Sequence, residues 1–426
     1  MILLHDEVHK SIRCPLYGFI DLNKIETKVL DTAAMQRLSR IKQLSHSYIV
    51  YPSAVHNRFE HSIGTLWVAG KICDTLKLPP EQTQVIRLAA LLHDVGQGPF
   101  SHIWEEPMRW VNGESFSHED VTKKIIQLDP EIGEALNEYK TEVLKVFTDD
   151  SLNSDIISSS LDADKLDYLR RDSYHTGVSY GRFDIDRVIH TICKLSEEGR
   201  DYLAVHEKGR DALENYRLAR YAMHTQVYEH HTRLIADDMF LKAIKLALSE
   251  DCIKKETLSF SSNTFIQDFH KLDDNSVQQQ IMQYGGVESK DLILRIRNRR
   301  LLKRALEIPI TDTGIPDAIK RKRIMQMDKK QTDEIEDKIA NDLGISPAYV
   351  VVHLQSIQIK LYERFSEIIE EKQKPIYVKK KNGLPSSFDE DTPFAASLKQ
   401  INRLYVFCPE ECLEKARSVA INKLGL

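Results

Sequence analysis

The stretch Val85-Ile-Arg-Leu-Ala-Ala-Leu-Leu92 runs directly into His93-Asp94, so an apolar run with helical spacing ends on two strongly polar side chains where core packing calls for none. A buried ionisable pair costs free energy unless a cation, a partner charge or hydrogen bonds replace its lost hydration. Two readings are open at this point: a structural hydrogen-bonded pair, or half of a metal site.

Working outward, Glu81 to Val95 reads as a helix with Gly96 as its C-terminal stop. Ile63 to Leu76 reads as the helix before it, stopped ahead of Pro79-Pro80. Gln97-Gly98-Pro99-Phe100-Ser101 is then a loop that hands the chain to His102. Further helices are predicted over His118 to Gln127, Ser160 to Arg171 and Gly209 to Leu248, so the part from Asp31 to Leu246 reads as all-α. Beyond Cys252 the character changes: Tyr349 to Leu354, Ile376 to Val378 and Arg403 to Phe407 are rich in β-branched and aromatic residues. The expected fold is mainly α, with an all-helical core in residues 1–250 and a C-terminal α+β lobe in 251–426 that serves regulation or oligomerisation.

The 426 residues, 42% of them hydrophobic, can bury one large domain plus a second, or two to three ordinary ones. No run approaches the roughly 20 apolar residues of a membrane span. The start Met1-Ile-Leu-Leu-His-Asp6 lacks the pattern of a signal peptide, and a cytoplasmic protein without membrane contact is expected. The six cysteines are scattered, which favours reduced thiols; Cys408 and Cys412 lack the two-residue gap of a zinc knuckle. A net charge of −5 argues against a surface devoted to phosphate binding, yet leaves local basic patches for a small anion and leaves nucleic acid open as a partner. The basic runs Arg295 to Arg304 and Lys320 to Arg323 are balanced by Asp333 to Asp337 and Glu367 to Glu371, and read as solvated helix faces. Lys379-Lys-Lys-Asn-Gly383 reads as a hairpin turn.

Histidine, both a metal ligand and a near-neutral acid or base, concentrates in one region. His56-Asn-Arg-Phe-Glu-His61-Ser sets two histidines, an arginine and a carboxylate just ahead of a predicted helix. His93-Asp94, the pair His102 and His118, and the acidic helix Asp162-Ala-Asp164-Lys165-Leu-Asp167-Tyr168 follow. Asp164 and Tyr168 lie four residues apart and Lys165 and Asp172 seven, so one helix face carries a carboxylate, an ammonium and a phenol, a combination suited to a phosphate site. His61, His93, Asp94 and Asp164 together make a two-histidine, two-carboxylate set suited to Mn, Fe, Zn or Mg.

Four motifs, in order, carry a resemblance to a known family: Arg37-Leu-Ser-Arg-Ile-Lys-Gln-Leu44, His56-Asn-Arg-Phe-Glu-His-Ser-Ile-Gly64, His93-Asp-Val-Gly-Gln-Gly-Pro-Phe-Ser-His102 and Asp162-Ala-Asp-Lys-Leu-Asp-Tyr-Leu-Arg-Arg-Asp172. They resemble the HD-domain phosphohydrolase superfamily, and within it the deoxynucleoside triphosphate (dNTP) triphosphohydrolases. The stretch from Pro375 to Ala420 is similar to that family's terminal lobe.

The resemblance implies that His61, His93, Asp94 and Asp164 bind a divalent metal, and that Arg58, Lys165 and Arg220 contact the triphosphate, with Tyr168 nearby. It implies that Gln43 and Asp172 hold the sugar 3′-hydroxyl, and that Leu44, His224 and Tyr228 pack near sugar and base. His102, Glu105 and His118 fall where the family has its acid/base group, with Glu105 in place of the usual aspartate. Gln97 stands where the family has a histidine against the α-phosphate; it can donate a hydrogen bond but carries neither proton nor charge. Asp31 and Gln36 match positions that bind a nucleotide activator in a regulated member, but Ser39 replaces the arginine expected there. Dimers or tetramers are implied, since regulatory sites in such enzymes lie between subunits.

Taken singly, each residue has a bland reading: a cap for His61, a buried pair for His93-Asp94, core aromatics for Tyr168 and Tyr228, a surface ion pair for Arg220. Three functions remain open: a dNTP triphosphohydrolase releasing deoxynucleoside and triphosphate, a nucleotide phosphatase or nucleic-acid phosphodiesterase with the same metal set, and a nucleotide-sensing protein with a degenerate site.

Overall fold

The computed structural model describes residues 8–197, 199–357, 375–382, 385–388 and 401–426; the acidic run Glu367 to Glu371 and Gly383 lie outside them. The described residues form two compact units. One is built from 8–223, 256–275 and 375–388, the other from 224–255, 276–357 and 401–426.

The first unit opens with an antiparallel hairpin, Lys10–Cys14 with Gly18–Leu22, whose turn uses Gly18 at φ 76°. A helical core follows, centred on the helices Arg58–Leu76, Pro80–Leu92 and Ala163–Thr176, the first of which packs on both of the others. Ile86, Leu88, Leu91, Leu92, Leu66 and Leu166 are fully buried there; a side chain of that kind contributes about 1.5–3 kcal/mol when withdrawn from water. The helix that carries His61 starts at Arg58, five residues before the predicted start. Asn57 accepts the Glu60 amide while Glu60 accepts the Asn57 amide, a capping box that apolar periodicity does not register. Lys77, left-handed at φ 54°, ends this helix ahead of the prolines.

Other sequence expectations are corrected. The helix Pro80–Leu92 stops four residues short of Gly96, whose φ is not positive; a Cβ there would lie 2.3 Å from the Thr122 amide nitrogen and 2.4 Å from the His118 carbonyl. Gly96 therefore permits close backbone packing against the helix His118–Leu128 and is not a helix stop. The region read as all-α contains the strands Ile192–Glu197 and Arg200–His206. They pair antiparallel and continue in parallel to Tyr377–Lys379, which pairs with Pro385–Ser387 across the expected hairpin. The helix predicted from Gly209 to Leu248 is interrupted: Arg210–Met223 closes in the first unit, and His224–Tyr228 (a π turn) and His231–Ser249 belong to the second.

The second unit is the α+β part. Its three-stranded antiparallel sheet has Ile401–Cys408 between Lys303–Pro309 and Val351–Ile357. Leu306, Val352, Leu404 and Val406 pack with Ile339 and Ala340 of the helix Lys329–Leu343 and with Ala420 and Leu424 of the helix Leu413–Leu424. The basic run at Arg295 to Arg304 spans the end of the helix Val287–Arg297 and the start of a strand, so it is not one helix face. The chain is thus mainly α with an α+β lobe. All six cysteines are free, and no helix among the described residues is long and apolar enough to cross a membrane.

Candidate metal centre

Three pieces of chain bring the proposed ligands together. His61 stands in the first turns of Arg58–Leu76, His93 and Asp94 follow the last turn of Pro80–Leu92, and Asp164 is the second residue of Ala163–Thr176, a helix capped by Asp162 on the Lys165 amide. His61 Nε2 lies 3.2 Å from His93 Nε2, 3.0 Å from Asp164 Oδ1 and 3.7 Å from Asp94 Oδ2. His93 Nε2 lies 3.5 Å from Asp94 Oδ2 and 3.6 Å from Asp164 Oδ1. Ligand atoms of His61, His93 and Asp94 all fall within 4.8 Å of one another.

Both rings are oriented from behind. His61 Nδ1 donates to Asp167 Oδ2 at 2.7 Å and His93 Nδ1 to the Ala90 carbonyl at 2.7 Å, partners that can only accept. Each ring therefore turns Nε2 toward the other and toward two carboxylates, an arrangement that needs positive charge at its centre. The electrostatics agree. Burial opposes charge on His61, but hydrogen bonds to Asp164 and Asp167 outweigh it and lift the imidazole to about 10. Burial likewise opposes ionisation of Asp164 and Asp94, yet the two histidines hold Asp164 well below the carboxylate range, and Arg58 does the same for Asp94. A donor set of two imidazole nitrogens and two carboxylate oxygens, with both rings anchored through their other nitrogen, fits a divalent cation.

The supports behind His61 were not assigned by sequence reasoning. Asp167 is fully buried and also accepts from Arg171 Nε and Nη2, both at 2.9 Å; Arg171 reaches Glu60 at 3.5 Å. Their signal was the four-residue spacing of Asp167 and Arg171 within a helix. Gly64 makes room for the pair: a Cβ there would lie 2.1 Å from Asp167 Oδ1 and 2.2 Å from Arg171 Nη2.

A second cluster lies on the next segment. Glu105 Oε1 accepts from His102 Nδ1 and His118 Nδ1, each at 2.9 Å, while Oε2 accepts from Arg109 at 2.7 Å. Burial disfavours the Glu105 charge, but these two histidine hydrogen bonds prevail and hold its carboxyl well below its usual value. The longer glutamate side chain thus spans both rings.

The remaining candidates divide. Asp164, Lys165 and Tyr168 share the half-buried face of their helix, as the spacing predicted, whereas Asp172 faces inward and pairs with His56 Nε2 at 2.7 Å. Gln43 donates its amide to the His56 carbonyl at 3.0 Å, so His56 joins the two residues matched to the sugar. Lys165 Nζ contacts Asp162 at 2.7 Å, and Asp162 and Asp164 raise the ammonium pKa against its burial. Burial raises the Tyr168 phenol, and the Arg220 guanidinium, close enough to bond it, pulls the other way. Arg58 is spent on Asp94 at 2.7 Å and the Ser101 hydroxyl at 2.9 Å. Gln97 is buried, and neither of its amide atoms has a partner among the described residues. Leu44 is half-buried in the turn beside Gln43. His224 and Tyr228 belong to the second unit, where their rings meet edge to face at 5.0 Å. Asp31 pairs at the surface with Lys10, and Gln36 donates to the Leu30 carbonyl.

Comparison with known proteins extends these motifs over the chain. Residues 58–172 match the HD domain and residues 183–426 the HD associated region. An uncharacterized protein of Methanocaldococcus jannaschii is 31% identical over 424 residues, which cover 98% of this chain and 81% of that one. The deoxynucleoside triphosphate triphosphohydrolase SAMHD1 of Homo sapiens is 29% identical over 294 residues, 57% of this chain and 46% of its own length. The crystal structure of a hypothetical protein from Aquifex aeolicus, 30% identical, superposes with a TM-score of 0.74 over 96% of this chain and 99% of its own. The likeness thus reaches well past the metal-site motifs, and the chain belongs to the HD-domain phosphohydrolase family.

Proposed function

We propose that the protein hydrolyses deoxynucleoside triphosphates to deoxynucleoside and intact triphosphate, with water attacking the α-phosphorus. The observation that carries this reading is the convergence of His61, His93, Asp94 and Asp164 beside the Lys165, Tyr168 and Arg220 face. Those four side chains would hold a divalent cation, whether Mn, Fe, Zn or Mg, which when bound would supply Lewis-acid polarisation of a phosphoryl oxygen. Lys165 and Arg220 neutralise the remaining phosphate charge, and the Tyr168 phenol, kept protonated by burial, donates a hydrogen bond. Arg58 keeps Asp94 ionised and oriented. Glu105 holds His102 and His118 by Nδ1, which leaves the His102 Nε2 to pass a proton to the departing 5′-oxygen. Gln43 and the His56–Asp172 pair recognise the sugar 3′-hydroxyl, and the unpartnered Gln97 amide offers a neutral donor to a phosphate oxygen. The human relative's name supports the substrate class.

The test is product analysis for each dNTP with each metal in water labelled with heavy oxygen. Equimolar nucleoside and triphosphate are expected, with the label in triphosphate, and loss of turnover in a folded His93→Ala variant. Monophosphate with pyrophosphate, stepwise phosphate release, or no product at all would overturn it. We take the second unit as a regulatory or oligomerisation module and, separately, Asp31 and Gln36 of the first unit as candidate contacts for a nucleotide activator. Light scattering with and without added nucleotide tests for the expected dimer or tetramer.

A further inference from the structure

The turn that delivers His102 is held in a conformation its own residues disfavour. Phe100 and Ser101 have φ of 58° and 60°, and neither is glycine, so each Cβ crowds a neighbouring carbonyl. Such backbone persists only where surrounding contacts over-determine it. Here Asp274 Oδ1 accepts the Phe100 amide at 2.6 Å. Ser101 Oγ donates to the Lys42 carbonyl at 2.7 Å and accepts from Arg58, Arg37 donates to the Gln97 carbonyl at 2.9 Å, and the His46 ring stacks on Phe100 at 4.8 Å. Asp274 is fixed in turn: Oδ2 accepts the Lys42 amide at 3.0 Å and faces the Lys42 ammonium at 3.4 Å.

We infer that Asp274, remote in sequence and touching none of the metal or phosphate candidates, is a positioning residue that acts through the Phe100 amide to hold the turn setting His102 against Glu105. Of the contacts on the turn, it is the buried carboxylate that bonds a left-handed residue's own amide. Without it Phe100 and Ser101 relax toward ordinary φ, and His102, the next residue, leaves its place. The inference rests on the proposed role of His102 in proton transfer.

The test compares wild type, Asp274→Ala and Asp274→Asn, each loaded with Mn and checked for metal content and thermal melting. Asp274→Ala should lower kcat about 100-fold, the scale for a misplaced catalytic group, with KM and metal content unchanged. Asp274→Asn, which keeps an acceptor for the Phe100 amide, should recover part of that loss. Hydrogen exchange of the peptide spanning 97–104 supplies a readout independent of substrate: protected in wild type, fast in Asp274→Ala, intermediate in Asp274→Asn. Unchanged kcat in a folded Asp274→Ala protein, or a fall in kcat matched by lost metal, overturns the inference. If the alanine variant does not fold, Asp274→Asn decides, and wild-type kcat and exchange in it overturn the inference. If wild type turns over no dNTP, the proposed function fails on its own, and exchange decides the positioning: equal rates in all three proteins refute it.

Discussion

Replacing Asp167 by asparagine separates the support of the candidate metal centre from its proposed ligands. The side chain keeps its shape but loses the charge that serves three hydrogen bonds: His61 Nδ1 at 2.7 Å and Arg171 Nε and Nη2 at 2.9 Å. All three residues are buried. With the amide oxygen at the Oδ2 position Arg171 Nε keeps a neutral acceptor, but Nη2 meets the amide NH2 group and retains the Cys14 sulfur at 3.7 Å. The nearest carboxylate left to the guanidinium among its described partners is Glu60 at 3.5 Å, so its charge stays largely uncompensated. Breaking a buried pair in this way costs about 3–5 kcal/mol, against a total stability of about 5–15 kcal/mol. At roughly 2–4 °C per kcal/mol the melting temperature drops by about 10 °C. His61 keeps an acceptor at Nδ1, but a neutral one, so its Nε2 becomes a weaker donor; loss of such a support lowers metal affinity by about 10–100-fold. Chelator competition on apo protein measures the affinity below the melting transition, and Arg171→Met in the same background removes the stranded charge and should return much of the stability but not the affinity. Wild-type affinity in folded Asp167→Asn would refute the reasoning, because His61 would then be oriented without its carboxylate.

Three further outcomes are expected. Gly64→Ala should destabilise by at least about 1–3 kcal/mol, since its Cβ collides with Asp167 and Arg171, whereas Gly133→Ala in the helix Pro130–Leu136, which meets only the Lys140 ammonium at 3.4 Å, should stabilise by about 0.5–1 kcal/mol. Equal melting shifts would contradict the pair. Asn57→Ala removes the capping box ahead of His61 and should cost about 1 kcal/mol in a denaturant titration. Glu105 titrates below its usual value in the folded state, so its contribution is complete above the unfolded value of about 4.3 and is lost as pH falls below that. The wild-type melting temperature should therefore fall more steeply than that of Glu105→Gln as pH drops below about 4.5. Parallel curves would refute this.

The polar residues of the centre were legible because their chemistry conflicts with their surroundings. His93-Asp94 ends a run that is apolar but for Arg87, and nothing about helix packing explains it. Residues that hold others in place were not legible. Asp167 reads as one more acid on an acidic helix, and His56 as part of a polar turn, until burial shows that each has a specific partner. Asp172 was read onto one face with Lys165 because seven residues return to nearly the same side of a helix, but its pairing with His56 turns it inward. The helices were legible by period, their ends less so, because the Asn57 and Asp162 caps are set by side-chain hydrogen bonds. The strands Ile192–Glu197 and Arg200–His206 sit between strongly helical stretches, and their short alternation was overridden by that context.

Gly96 has a further consequence. Its backbone lies flush against the start of the helix that carries His118, and Thr122 Oγ1 ties the same seam by accepting the Gly96 amide and donating to the His93 carbonyl, both at 3.1 Å. The spacing between the metal cluster and the Glu105 cluster is thus set by main chain against main chain, independently of the side chains lining either. Such a frame tolerates exchange of its chemistry: glutamine at 97 and glutamate at 105, two positions where the family resemblance calls for histidine and aspartate, change what the side chains can donate without changing where the main chain stands. A library randomised at 97, 102, 105 and 118 would therefore sample reactivities on a constant scaffold. Any residue with a Cβ at 96 would wedge the seam open and remove the scaffold itself.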